Sequence, residues 1–390
     1  MGKNRKWIGD SWRPLFLAYL SLFIFGFGDN IRGPLFPEIL KYFSVNDTLG
    51  SMFFAVSSMM GLIGGYLAQL AIKKIGSRRG LQLALGLMMT GLIAISISPT
   101  FFVLLLASLI FGTAMGSLGV IQNFLVIKCS PPHRLQQIQS GLHSMYGAAS
   151  FLAPLLVSVA YRFHPSWRLP FFVCGILTGL VLLLALPKDD RMDQIHVGDN
   201  GHVQGSSASR REQLYFSTVV AAYVVAEIIV SSRLSLFLRR EENQSLEESS
   251  SWAALFFACL LAGRVMFTFW RPPVKVKTQM LISLVGCLLC FLVGLFVNPW
   301  GFVLSGLAMA PFYPLAMAAS GRLFSKQVSS VMAFVVAVTS VFVVSMHLGV
   351  GFLTEIMGIR KALMLGPGFV LLALLMLIGY TRIFKRPFDF

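Results

Sequence analysis

Charge is what this sequence lacks. Of its 390 residues only 12% are Asp, Glu, Lys or Arg, whereas soluble domains carry about 25%. With a mean hydropathy of +0.75, the shortage excludes an ordinary water-soluble protein. It also excludes disorder and coiled coil, which need charge or heptads, and no Gly-X-Y period is present for collagen. Cysteine is equally sparse: Cys129, Cys174, Cys259, Cys287 and Cys290 all lie in or beside apolar runs. No disulfide framework is legible, and Cys287-x-x-Cys290 has no third or fourth ligand nearby, so packing is its expected role. Enzyme signatures are missing too. There is no Walker loop, no His-Glu-x-x-His and no Gly-x-Ser-x-Gly elbow, so neither enzyme activity nor a cofactor is expected.

The little charge present is biased, with 32 Lys and Arg against 16 Asp and Glu. A nucleic-acid domain would gather such residues on one polar face among aromatics. Here they form short clusters between long apolar runs, as at Lys73, Lys74, Arg78 and Arg79. That excludes nucleic acid as partner and points to loops between membrane spans. The first run is too long for a signal peptide and lacks a small-residue cleavage site, so it is expected to be a span.

A helix needs about 20 apolar residues to cross the hydrocarbon core. That ruler predicts twelve spans, near 14–40, 50–72, 80–98, 101–127, 138–161, 169–186, 213–238, 252–270, 279–297, 301–321, 330–353 and 362–381. Trp12, Trp167, Trp252, Trp270 and Trp300 fall at span ends, where amphipathic rings anchor. The one long hydrophilic stretch, 187–212, has linker composition and divides the spans six from six. The expected organisation is a six-helix bundle over 1–186, a linker over 187–212 and a second bundle over 213–390. Lys and Arg concentrate in the loops on the amino-terminal side, which places both termini and the linker in the cytoplasm of an inner or plasma membrane protein. The acidic group Glu241, Glu242, Glu247 and Glu248 is then an exterior, solvated loop.

The halves resemble each other. Gly61 precedes Lys73 by twelve residues in the second span, and Gly263 precedes Lys275 by twelve in the eighth. Asp29 and Glu227 lie at comparable depth in spans one and seven, and His143 and His347 in spans five and eleven. Two pseudo-symmetric bundles imply a solute site between them near the midplane.

Several segments carry a further likeness. These are Gly28-Asp-Asn-Ile-Arg-Gly-Pro-Leu-Phe-Pro-Glu38, Lys73-Lys-Ile-Gly-Ser-Arg-Arg-Gly80, Asn123 through Arg134 to Leu142-His-Ser-Met-Tyr-Gly147, and Pro154-Leu-Leu156. Tyr223-Val-Val-Ala-Glu227, Gly263-Arg264 and Ala310-Pro-Phe-Tyr-Pro314 complete the set. In these the chain resembles the major facilitator superfamily, and within it the fucose:proton symporter family of sugar transporters. The resemblance implies a twelve-helix fold moving by alternating access. It implies gating by the basic turn Lys73, Gly76, Arg78 and Arg79, and a proton and substrate role for the first-helix acid Asp29. Glu227 and Gly263-Arg264 match the family's seventh and eighth helices. Where fucose transporters of the family carry a functional Glu in the fourth helix, this chain has no carboxylate there and carries the amides Gln122 and Asn123.

An ionised group at the bilayer centre costs roughly 2.5–3.5 kcal/mol on insertion scales. Asp29, Glu227 and His143 are therefore candidate proton carriers, since a desolvated carboxyl titrates nearer neutrality and imidazole does so unperturbed. Pairing offers a purely structural alternative, Asp29 with Arg32 and Glu227 with Arg233 or Arg264. Asn30, Gln122 and Asn123 suit sugar hydroxyls, because each amide both donates and accepts, although such groups also bridge helices. Arg32 and Arg264 are candidate anchors for an anion, and Tyr146 and Tyr313 for stacking on a ring. His347 is expected to pack. The function expected is proton-coupled symport of a small polar, sugar-like solute by a monomer in the lipid bilayer. An exporter of amphiphiles, an organic-anion transporter and a non-transporting receptor are the alternatives.

Overall fold

The computed structural model describes residues 12–131, 135–187, 192, 209–269, 273–324 and 328–384. The basic amino terminus, Arg134, Trp270 and the linker interior at 188–191 and 193–208 lie outside the described residues. Among the described residues the regular structure is all helical, as a bilayer demands of a chain whose backbone groups must pair within each segment. The helices are α1 Trp12–Asn30, α2 Arg32–Phe43, α3 Asp47–Ile97, α4 Phe101–Cys129, α5 Leu135–Phe163 and α6 Arg168–Ala185. They continue as α7 Arg210–Glu241, α8 Leu246–Phe269, α9 Val276–Phe296, α10 Trp300–Met309, α11 Phe312–Leu323, α12 Val328–Met357, α13 Ile359–Ala362 and α14 Leu365–Phe384.

Eleven helical stretches among the described residues are long and apolar enough to span a membrane. One of them, α3, has 51 residues, about 77 Å at 1.5 Å per residue, enough for two crossings of a 30 Å core. It is interrupted at Gly76, whose φ of 84° and ψ of 166° are not helical. The twelve runs in the sequence are thus twelve crossings, with the second and third joined through a glycine kink rather than a loop. A side chain at positive φ would be strained, so this position favours glycine.

Two further breaks follow from proline. Pro34 has no N–H for the Asn30 carbonyl, and the first membrane stretch divides into α1 and α2 around Ile31. Pro311 and Pro314 likewise cannot donate to Leu307 and Ala310, and the tenth stretch divides into α10 and α11. Both breaks sit beside candidate site residues: Asp29 and Asn30 end α1, and Tyr313 lies in the first turn of α11.

The chain forms two compact units, one of Met1–Ile31, Val56–Leu156 and Phe163–Asn200, the other of Arg32–Ala55, Val157–Arg162 and Gly201–Phe390. In the first unit α3 and α4 meet along small residues. A Cβ added at Gly116 would collide with the Gly61 carbonyl oxygen, and the Ser117 hydroxyl donates to the Gly64 carbonyl at 2.9 Å. The loop end of α3 is capped by Arg168, which donates to the Ser96 carbonyl at 2.8 Å and the Ser98 carbonyl at 2.7 Å. In the second unit α8, α9 and α10 repeat this close packing. The Ser283 hydroxyl donates to the Ala308 carbonyl at 2.6 Å, and Trp252 and Trp300 meet with ring centroids 4.9 Å apart.

Candidate functional site

Within the first unit, α1 and α5 bring three of the sequence candidates together. The Tyr146 hydroxyl donates to Asp29 Oδ2 at 2.7 Å. Beside it, Asn30 Nδ2 donates to the Gly26 carbonyl at 2.8 Å and to Ser150 Oγ at 3.0 Å, while Ser150 Oγ donates to the Tyr146 carbonyl at 2.8 Å. Asp29 and Asn30 are the last residues of α1, immediately before the break at Ile31. Phe25 packs on Tyr146 at 5.7 Å between ring centroids. Asp29, Asn30 and Tyr146 are only half-buried, so the pair of acid and phenol is reachable by a polar solute.

A second group joins α4 and α5. Gln139 Nε2 donates to Asn123 Oδ1 and lies 3.3 Å from His143 Nε2, and Asn123 Nδ2 donates to the Gly119 carbonyl at 2.7 Å. Asn123 and His143 therefore share one neighbourhood through Gln139, a residue the sequence reading passed over. Gln122 lies elsewhere. It is fully buried and its Nε2 donates to Ser21 Oγ at 3.2 Å, so it ties α4 to α1.

The second unit assembles the other acid. Glu227 Oε1 lies 3.6 Å from Arg264 Nη2, while the Tyr223 hydroxyl lies 2.8 Å from Glu227 Oε2 and 2.8 Å from the Met309 carbonyl oxygen. Tyr223 stacks on Phe312 with ring centroids 4.3 Å apart, and Tyr313 stands within the field of both Glu227 and Arg264. Three candidates, Glu227, Arg264 and Tyr313, thus converge from α7, α8 and α11. Tyr223, four residues before the acid and so on the same helix face, completes them.

Arg32 and Arg233 belong to a different cluster in this unit. Both guanidinium groups lie over the ring of Phe54, at 5.1 Å and 4.9 Å. Arg233 also lies 4.4 Å from the centroid of Phe36 and donates to Ser51 Oγ at 2.9 Å. His347 stacks on the same Phe54 at 4.9 Å, which fits the packing role expected of it. Ion pairs join Arg239 to Glu38 and Arg240 to Asp47, the latter at 2.8 Å, while Glu355 accepts from Asn46 and Thr48. Glu241, expected in a solvated loop, instead accepts from Arg360 Nε at 2.8 Å. No sequence periodicity marks these partners, which are roughly 120–310 positions apart in the chain.

The basic turn is built around Gly76. Lys73 and Arg79 are exposed, and Arg78 Nη1 donates to the Leu186 carbonyl at 3.3 Å. Buried Ser77 donates to the Met192 carbonyl at 2.7 Å, and Gln82 to the Ala185 carbonyl at 2.8 Å. The turn therefore holds the main chain at the end of α6 and the start of the linker.

Comparison with known proteins agrees with this architecture. The family model of the Major Facilitator Superfamily matches residues 18–301. "Bypass of stop codon protein 6" of Saccharomyces cerevisiae is 25% identical over 282 residues, which are 65% of this chain but only 56% of the yeast protein. The "Glucose/mannose transporter GlcP" of Bacillus subtilis is 22% identical over 360 residues, 87% of this chain and 86% of that protein. Among solved structures, the inward open conformation of the xylose transporter XylE from E. coli aligns with a TM-score of 0.79 at 12% identity, covering 95% of this chain and 96% of that one. At such identity the likeness to the xylose transporter speaks for the fold.

Proposed function

The chain belongs to the Major Facilitator Superfamily, an integral membrane transporter of small molecules rather than an enzyme, and from that premise we propose proton-coupled symport of a small, sugar-like solute by alternating access. One observation carries the reading: two acids well inside the membrane stretches, Asp29 and Glu227, each lie within hydrogen-bond reach of a tyrosine hydroxyl. A carboxylate so placed has a donor when charged and an acceptor when neutral, so either form can be accommodated. The neighbouring amides and hydroxyls of Asn30, Ser150 and Asn123 suit a polyhydroxylated solute better than an amphiphile. The similarity to a glucose/mannose transporter, and the resemblance to the fucose:proton symporter family, support the sugar class. In this reading residues 1–186 and 213–390 are the two working halves and 187–212 their linker. The excess of Lys and Arg in the loops on the amino-terminal side sets both termini in the cytoplasm, and the protein acts as a monomer.

The test is uptake of radiolabelled glucose, mannose and xylose into proteoliposomes with and without an inward proton gradient. Gradient-dependent accumulation of one of them supports the proposal, and equilibration indifferent to the gradient removes the coupling. An organic anion is the second reading, resting on Arg264, a fixed positive charge inside the eighth stretch that lies 3.6 Å from Glu227. Sugar acids in the same assay decide between the two.

A further inference from the structure

The Tyr223 hydroxyl has one hydrogen, yet it sits 2.8 Å from two oxygen atoms, Glu227 Oε2 and the Met309 carbonyl. A carbonyl oxygen has no hydrogen to give. Both contacts are full hydrogen bonds only when Glu227 carries a proton: its O–H donates to Tyr223 Oη, and Tyr223 donates to Met309. When Glu227 is ionised, the phenol hydrogen turns to the carboxylate, because a charge-assisted bond is the stronger of the two, and Met309 loses its donor. We propose that Tyr223 is a relay that couples the protonation of Glu227 to the break between α10 and α11. This rests on the reading of Glu227 as a proton carrier and adds what its proton does.

The place of Met309 gives the relay its consequence. It is the last residue of α10, immediately before Ala310 and Pro311, where the helical ladder is already interrupted for want of a proline N–H. The single hydrogen bond from Tyr223 therefore acts on main chain that has lost part of its own support. Loading Glu227 ties the break to α7, and unloading it releases the break. Phe312, stacked on the Tyr223 ring, keeps the phenol aligned in both states, so that only the hydrogen changes partner. No heavy-atom displacement is required, and the proton balance is one hydrogen gained or lost at Glu227 Oε2.

Arg264 faces Glu227 from α8, Tyr313 from α11 and Cys287 from α9. On the other packed helices, His347 of α12 and Arg32 of α2 meet the ring of Phe54, Glu38 of α2 pairs with Arg239, Glu355 of α12 accepts from Asn46 and Thr48, and Tyr380 of α14 donates to Glu212. Arg264 stabilises the ionised acid through Oε1, the oxygen not used by Tyr223, so the two partners do not compete for one atom.

Infrared difference spectroscopy of the full chain in lipid nanodiscs, with 13C at the carbonyl carbon of methionine and the proton as the only ligand, tests the relay. The Glu227 carboxyl band is identified by its loss in Glu227→Gln, and the Met309 carbonyl band by its loss in Met309→Leu. Both bands are expected to change with one common midpoint. In Tyr223→Phe, which keeps the ring on Phe312, the Glu227 midpoint should rise by about one pH unit as the carboxylate loses a donor, and the Met309 band should stop responding. In Glu227→Gln, whose amide donates permanently to Tyr223, the Met309 band should stay at its low-pH position throughout. A Glu227 midpoint unmoved in Tyr223→Phe, or a Met309 band indifferent to pH while Glu227 titrates, overturns the relay and leaves Glu227 as proton carrier intact. A Glu227 that does not titrate at all overturns both.

Discussion

Asp29 and Glu227 sit in unlike surroundings but share one chemistry, a carboxyl within hydrogen-bond reach of a tyrosine hydroxyl. Asp29→Asn keeps the size and the contact to Tyr146 while removing the titratable oxygen. It is expected to abolish gradient-driven accumulation in proteoliposomes and to leave solute exchange at equal pH largely intact. Loss of exchange as well would assign Asp29 to solute binding alone. Away from these acids, Phe54 joins Arg32, Arg233 and His347 through its ring. Phe54→Ala should cost about 3–5 kcal/mol, the usual price of deleting a buried ring, with additional loss from the abandoned cation–π contacts. Thermal unfolding in detergent should show a lowered Tm, and an unchanged Tm would mean the ring bears little load. The acids themselves were legible in the sequence, because ionisable residues are conspicuous in apolar runs. Their tyrosines were legible only in part. Tyr146 stands three residues after His143 in an apolar run, whereas the bond of Tyr223 to Met309, 86 positions away, leaves no trace in spacing.

At the scale of the helix, hydropathy and length defined almost every membrane stretch to within a few residues, because the thickness of the hydrocarbon core sets both. Breaks within a stretch were harder to read. Pro34 and Pro311 are visible in the sequence, but only the backbone shows that α1 stops at Asn30 and that α3 runs on through Gly76. Gly76→Ala places a Cβ at positive φ with extended ψ, a region essentially reserved for glycine, and should destabilise the chain by about 1–3 kcal/mol, measurable by thermal unfolding although nothing surrounds the added atom. The seam between α3 and α4 offers a sharper contrast. Gly116→Ala drives a Cβ into the Gly61 carbonyl and should cost about 1–3 kcal/mol and slow transport. Gly119→Ala, three residues away with open space at its Cβ, should leave both unchanged. Equal tolerance at the two positions would show that the close approach is dispensable. Hydropathy could not reveal the ion pairs at Arg239, Arg240 and Arg360, because charges counted as loop charges carry no indication of which acid they meet.

For the molecule as a whole, the uneven charge of the loops and the intramembrane acids answer different questions. In the proposed topology most of the 32 basic residues lie in cytoplasmic loops, which predicts that a tag at either terminus is reached by antibody only after the membrane is permeabilised; labelling of intact cells would reverse the topology. In the proposed mechanism transport rests on the few charges left inside the spans, and the claim that these move protons with the solute is the centre of the account. Its most direct test follows the external pH of a lightly buffered suspension of proteoliposomes when glucose, mannose or xylose is added. The prediction is a transient alkalinisation outside that accompanies uptake of one of these sugars and disappears in Asp29→Asn. Uptake of the sugar with no movement of protons would contradict it.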